Sequence, residues 1–398
     1  MFFALRGPNY DGNLFAGKAL ELGACYCICD GISESKDARI IYVHNVTESL
    51  QQLAKYHREQ FNVPFIGITG SNGKTTTKEL VHAVLSKKFK CYTTQGNLNN
   101  HIGIPLTILA IKSDAEIAVI EMGANHLHEI EGYCKYALPT HGLITNCGKA
   151  HLEGFGSEEG VKKGKGELYD FIAAAEGIIF LNTDYDYLSQ MSADVKNKIT
   201  YGSELGDYTG KAIKSEYLLE VEITKGADIG TIKTKLAGKY NLPNVMSAVC
   251  MGKTFGVTDN QIKDALENYT PTNSRSQIIK AGTNTIILDS YNANPSSMAA
   301  AIENFAAIDG TKKIIILGSM MELGEDSIKE HADIIDLIGK NNWYKVAVAG
   351  KDYADVPENI LKFNSAEETA VWFRQENFEN AFILVKGSRG MQMEKILE

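Results

Sequence analysis

The chain has no long hydrophobic run. Nothing in it approaches the roughly 18 consecutive apolar residues of a membrane span, so no membrane insertion is predicted. It also lacks a basic excess. Its 40 Lys and Arg stand against 49 Asp and Glu, a net charge of −9, which disfavours a nucleic-acid partner. It lacks a disulfide framework, because seven cysteines are an odd count without framework spacing. Cys25, Cys27 and Cys29 alternate, which predicts three buried thiols on one face of a strand rather than a metal cluster. Such thiols fit a reducing cytoplasm. The start, MFFALRGPNYDG, does not read as a signal peptide: the apolar run is short and Arg6 follows it. Repeats and low-complexity tracts are absent.

What is there is an ordinary globular composition, 44% hydrophobic and 22% charged over 398 residues, enough for two or three domains. The most informative stretch is IGITGSNGKTTT. Apolar Phe65, Ile66 and Ile68 lead into Gly70, Ser71, Asn72 and Gly73. Lys74, Thr75, Thr76 and Thr77 then open a helical pattern with Leu80, Val81, Val84 and Leu85 on one face. Strand, glycine loop and helix in that order make a phosphate cradle. The glycines let backbone N–H groups converge, and the helix N-terminus adds partial positive charge. Lys74 is expected on the β/γ-phosphates and the Thr75 hydroxyl on Mg²⁺. The loop is shorter than the usual phosphate loop, with Ile68 where a glycine commonly stands. The alternative is an ordinary glycine turn capped by Ser or Asn.

The first 63 residues read as a small α/β region: a helix in LFAGKALELGA, strands in ACYCICD and RIIYVHN, and a helix begun by Thr47. The chain opens on FFAL, which already resembles strand interior and suggests that an element normally precedes it. From Pro64, strands and helices alternate, which predicts a mostly parallel sheet covered on both faces. EIAVIEMG, HGLITN and EGIIFLN are buried strands, the last followed by a polar stretch, LNTDYDYLSQ. Residues 211–236 read as an antiparallel annex. A break is expected at YTPTNSRSQ. Beyond it lies a second doubly wound α/β unit of about 120 residues.

Several strand ends carry chemistry, and ligands of open α/β sheets gather there. Glu121, in EMGANH, is a candidate Mg²⁺ ligand or a solvated glutamate. His151, in NCGKAHLEGFG, is a ligand or a structural histidine. Lys162, Lys163 and Lys165 form either a solvated basic face or the source of one site lysine. Asn97, Asn99 and Asn100 offer donors and acceptors suited to a hydroxyl-rich or peptide-like ligand. Asp289, Asn292 and Asn294 follow a later strand, and Lys386, Ser388 and Arg389 end the last one. A second domain bearing such groups could close over the first, so that two substrates meet in the cleft.

Taken together, TGSNGKT, GNLNNHIGIP, EMGANH, AHLEGFGS, KGKGE, DSYNANP, MELGE and LVKGSRG resemble the Mur ligases, the ATP-dependent amide-forming enzymes of peptidoglycan synthesis. They occur in that family's order across nearly the whole chain. GNLNN, HLEGFGS and DSYNANP point to the members that add D-alanyl-D-alanine, and a DNPR-like motif is absent. The resemblance implies a three-domain α/β architecture. Residues 1–63 would be an incomplete uridine-nucleotide domain, 64–274 a central phosphate-loop ATPase-like domain with a parallel sheet, and 275–398 a C-terminal doubly wound Rossmann-like domain. It implies a cytoplasmic, monomeric enzyme that uses ATP and two Mg²⁺ ions, with UDP-N-acetylmuramoyl-tripeptide and D-alanyl-D-alanine as partners. Glu121 and Thr75 would hold one Mg²⁺, and His151 and a carbamylated Lys165 the second. Lys74, His151 and Lys165 are the implied catalytic residues. Gly70 to Thr76, Asn244, Arg275, Asp289, Asn292 and His331 would bind ATP, and Asn97, Asn99 and Asn100 the substrate. Tyr240 stands where the family often has histidine. Members also begin with a further uridine-contacting segment, so the chain is expected to bind ATP more reliably than the uridine nucleotide. Another Mur ligase, a folylpolyglutamate synthase-like ligase and a non-catalytic nucleotide-binding scaffold are the alternatives.

Overall fold

The structure is a computed structural model that describes residues 1–32, 37–213, 217–272 and 274–398. Parts of two expected features, the annex at 214–216 and the break at 273, lie outside the described residues.

The strand Phe65–Thr69 is buried along its whole length. It lies inside a nine-stranded sheet ordered Thr231–Ala237, Leu218–Lys225, Tyr208–Ile213, Asn197–Gly202, Ile178–Asn182, His141–Ile144, Phe65–Thr69, Ile117–Glu121 and Cys91–Thr93. The seven strands from Tyr208–Ile213 to Cys91–Thr93 run parallel. The other two join antiparallel and form the expected annex. Alternation along Phe65–Thr69 serves two cores. Ile66 and Ile68 face helices Lys74–Leu85 and Leu242–Thr254, while Phe65 faces the side that holds Ile104, Ile130 and Leu168. Gly67 keeps the backbone close to helix Glu158–Ala174: a Cβ there would lie 3.2 Å from Leu168. The register sets Ile68 beside Glu121 and Thr69 beside Ile144, so three carboxyl ends open at one edge.

A second sheet is ordered Gln277–Ala281, Asn284–Asp289, Phe382–Lys386, Lys313–Gly318, Lys345–Ala349 and Leu361–Phe363. All pairs are parallel except the first, and apolar clusters cover both faces. The N-terminal region is a three-stranded parallel sheet of Phe2–Phe3, Cys27–Cys29 and Ile40–Tyr42, with helix Val46–Arg58 beside it. That helix packs on helices Gly103–Leu109 and Glu129–Ala137. Its Arg58 donates to the carbonyls of Ala137 at 3.0 Å and Leu138 at 2.9 Å, with the guanidinium 3.7 Å over the Phe65 ring.

Three sequence expectations need correction. Cys25 is exposed and precedes the strand, so only Cys27 and Cys29 are buried there. Asn45, not Thr47, caps helix Val46–Arg58: its side chain accepts from Glu48 N, because an extended residue must precede the first helical one. The polar stretch after Asn182 contains a short helix, Asp186–Met191, whose Leu188 is buried. No helix among the described residues is long and apolar enough to cross a membrane.

Candidate nucleotide and acyl-transfer site

The loop Gly70–Gly73 adopts a conformation that only glycine fits well. Gly70 has φ 138° and Gly73 φ 79°. A Cβ on Gly73 would lie 2.6 Å from Asn244 Oδ1. The next loop braces it. Ser71 N donates to Asn146 O (2.8 Å), Asn72 N to Asn146 Oδ1 (3.0 Å), and Thr145 Oγ1 to Asn72 O (2.6 Å). No side chain caps helix Lys74–Leu85, which leaves its first N–H groups for an anion. Lys74 folds over the loop, its Nζ 2.6 Å from Gly70 O and 3.0 Å from Ser71 O. Burial lowers its pKa to about 8, against the attraction of Glu121.

Beside the loop, Glu121 Oε1 accepts from Thr75 Oγ1 at 3.0 Å and from Asn99 Nδ2 at 2.8 Å. Its Oε2 is buried without a hydrogen-bond partner. A buried, unsatisfied carboxylate oxygen next to a hydroxyl is a set of hard oxygen donors, which fits Mg²⁺. Lys165 is wholly buried. Its Nζ donates to Ala124 O at 2.8 Å and sits 5.0 Å from the Phe155 ring centre. Burial, with Lys74 nearby, lowers its pKa to about 7. His151 has φ 54°, and its Nδ1 meets the Glu322 carboxylate.

Ser71 to Thr75, Asn99, Glu121 and His151 face one cavity of about 1000 Å³ between the two large sheets. From the C-terminal side, the Arg275 guanidinium stacks 3.6 Å over the Tyr291 ring, and its buried Nε has no partner. Lys386 Nζ donates to Asp289 Oδ2 at 2.6 Å, and Ser276 N to Asp289 Oδ1 at 3.1 Å. Tyr240, in the position where the family often has histidine, shares a hydrogen bond with Ser276 Oγ at 3.0 Å. Asn244 accepts from Thr77 Oγ1 at 3.0 Å and donates to Asn241 Oδ1 at 2.8 Å. Asn294 Nδ2 reaches across to Asn72 Oδ1 at 2.8 Å.

Ser71, Asn72, Gly73, Lys74, Thr75, Thr76, Asn99, Asn100, Glu121, His151, Asn244, Arg275, Asp289 and Asn292 all line this cavity. Four expected residues do not. Gly70 sits behind the loop against Thr145. Asn97 is exposed, and its carbonyl accepts from Asn99 N at 2.8 Å. Lys165 lies behind the wall formed by Ala124. His331 is wholly buried: its Nε2 accepts from Met320 N at 2.9 Å and its Nδ1–H donates to Ser327 O at 2.7 Å. With both nitrogens engaged, the expected nucleotide contact is replaced by support of the Met320–Glu322 segment. Asn146 and Ser296 also line the cavity, and Glu322 pairs with His151 beside it. Asn146 follows a strand end, the signal that marked His151. Glu322 lies within the MELGE run, whose local pattern does not reveal its pairing with His151 in a distant chain segment.

The Mur ligase middle domain pattern matches residues 68–252, and the Mur ligase glutamate ligase domain pattern matches residues 274–389. A UDP-N-acetylmuramoyl-tripeptide–D-alanyl-D-alanine ligase of Bacillus subtilis is 33% identical over 100% of this chain and 89% of its own length. The enzyme of the same name from Escherichia coli is 32% identical over 100% and 90%. The crystal structure of MurF ligase from Thermotoga maritima in complex with ADP superposes with a TM-score of 0.90 at 28% identity, covering 99% of this chain and 92% of that one. Its phosphate loop, its paired α/β sheets and these full-length likenesses agree, and the chain belongs to the Mur ligase family, on its MurF branch.

Proposed function

We propose that this chain joins D-alanyl-D-alanine to UDP-N-acetylmuramoyl-tripeptide at the expense of ATP. The observation that carries the reading is the phosphate loop set beside Glu121 in a cavity that the C-terminal sheet completes. A carboxylate, a triphosphate and an amine need to meet out of water, and the shared cavity can hold all three. The tripeptide carboxylate attacks the γ-phosphorus and ADP leaves, giving an acyl phosphate. The dipeptide amine attacks the acyl carbon, and the tetrahedral species expels phosphate as the amine loses a proton. Lys74 and the loop N–H groups hold the phosphates and offset charge that builds on their oxygens. Arg275 and Asp289 face the nucleotide from the other side, and Asn99 and Asn100 face the peptide. Mg²⁺, held by Thr75 and Glu121, would supply further charge neutralisation, and His151 with carbamylated Lys165 would hold a second ion. With a pKa near 7, a substantial share of Lys165 is free amine at neutral pH, the form that can take up CO₂.

On this reading the chain divides into units 1–63, 64–274 and 275–398 and acts as a cytoplasmic monomer. The test is phosphate release with UDP-N-acetylmuramoyl-tripeptide, D-alanyl-D-alanine, ATP and Mg²⁺, each omitted in turn. Release should require all four. Equal release with glutamate or diaminopimelate in place of the dipeptide would assign the chain to another amide ligase.

A further inference from the structure

Among the described residues, a charged pair besides His151 and Glu322 spans the seam between the two large sheets. Lys149 Nζ lies 2.7 Å from Glu330 Oε1, across 181 positions of sequence. The partners differ in exposure: the Lys149 side chain is 36% exposed and that of Glu330 only 6%. Glu330 belongs to helix Ser327–Gly339 of the C-terminal sheet. Lys149 belongs to the loop that braces the phosphate loop. In that loop Ser71 Oγ donates to Gly148 O and Gly148 N donates to Ser71 Oγ, both at 3.0 Å. Lys149 N also donates to Ser296 Oγ at 2.9 Å, which ties the same loop to helix Pro295–Ala306. Neither side chain of the pair appears in the cavity wall.

A carboxylate this deep is costly without its cation, whereas the same carboxylate in water costs nothing. Glu330 is buried in the C-terminal unit, and its cation comes from the 146–151 loop of the central one. We propose that Lys149 and Glu330 are positioning residues: their pairing selects the docked arrangement of the C-terminal unit and holds the phosphate-loop brace in its working position. This rests on the ligase reading for its catalytic consequence, though not for its structural one. When the two units separate, the pair is lost. The net worth of such a pair is small, so it acts as a register device: a displaced docking would bury Glu330 unpaired.

The test uses the full chain and four variants: Lys149→Met, Glu330→Gln, the double variant, and the exchange Lys149→Glu with Glu330→Lys. Small-angle scattering with ADP present reads the docking directly. Steady-state phosphate release gives kcat, and ADP titration gives Kd. Each single variant should give a larger radius of gyration than the parent chain, a kcat lower by about tenfold and a raised ADP Kd, since the cavity is lined from both units. The double variant should be no worse than the worse single one, and the exchange should recover part of the loss. A general loss of fold would not be recovered by exchanging charges. Four variants that scatter like the parent, or single losses that multiply in the double variant, would overturn the proposal. If the parent chain releases no phosphate, the ligase reading fails, and scattering alone still decides on the pair.

Discussion

In the proposed reaction Lys74 would hold the phosphates and Glu121 their Mg²⁺, with opposite charge, so they should fail differently. Lys74→Met removes a donor aimed at developing charge and should cut kcat by about 10²–10³-fold. Steady-state phosphate release would show it, with the far-ultraviolet spectrum unchanged. Glu121→Gln keeps the volume and the Oε1 contacts but removes the anion. The Mg²⁺ concentration for half-maximal rate should rise at least tenfold, and an unchanged requirement would remove Glu121 from the metal site. A third residue reports on folding. His141 is stacked against Phe180, with Phe255 close by, and burial holds its pKa near 4. Above pH 6.5 it is neutral, folded or unfolded. Below that the unfolded chain takes the proton first, so native stability is lost from about pH 6.5 down to about 4, by about 2–3 kcal/mol. Urea midpoints across that range should fall less steeply in His141→Gln. The cavity-lining residues most legible in the sequence were those with local grammar: Ser71 to Thr75 in one run, and Glu121 at the end of an apolar strand. His331 misled because a motif fixes its neighbours in sequence, while the hydrogen bonds of Met320 and Ser327 decide its partners.

At the scale of elements, hydrophobic period was a sound guide. The apolar run of Phe65, Ile66 and Ile68 marks a buried strand, and the spacing of Leu80, Val81, Val84 and Leu85 marks helix Lys74–Leu85. What it missed were ends and short pieces, such as the Asn45 cap and helix Asp186–Met191, where one hydrogen bond or one buried Leu188 outweighs pattern. The strand–loop–helix unit separates stability from function in a testable way. Leu80→Ala leaves a cavity in a fully buried position and should cost about 3 kcal/mol by urea unfolding. Gly73→Ala instead forces a side chain into a left-handed backbone and against Asn244. It should weaken ADP binding at least tenfold by calorimetric titration.

The whole molecule joins its parts by unequal seams. Helix Val46–Arg58 rests on two helices of the central unit, with Leu50 and Ala54 buried and Arg58 bonded to Ala137 and Leu138. The C-terminal unit has apolar clusters on both sheet faces, to which the central unit adds Ala237 and Tyr217, and it meets the phosphate loop and its brace through polar contacts such as Asn294 to Asn72 and Glu330 to Lys149. This unequal jointing was not legible in the sequence, because each contact links residues more than 70 positions apart. Polar, solvent-reachable seams contribute little to cooperativity, whereas shared apolar packing enforces it. Calorimetry without nucleotide should therefore show two transitions, the N-terminal region melting with the central unit and the C-terminal unit separately. ADP touching both walls of the cavity should raise both transitions and draw them together, by about 2.7 kcal/mol at a hundredfold excess over Kd. A single transition without ADP would mean that the polar seam couples the units as strongly as a core does. In that case separation of the C-terminal unit would demand partial unfolding rather than a hinge, and product release would be correspondingly slow.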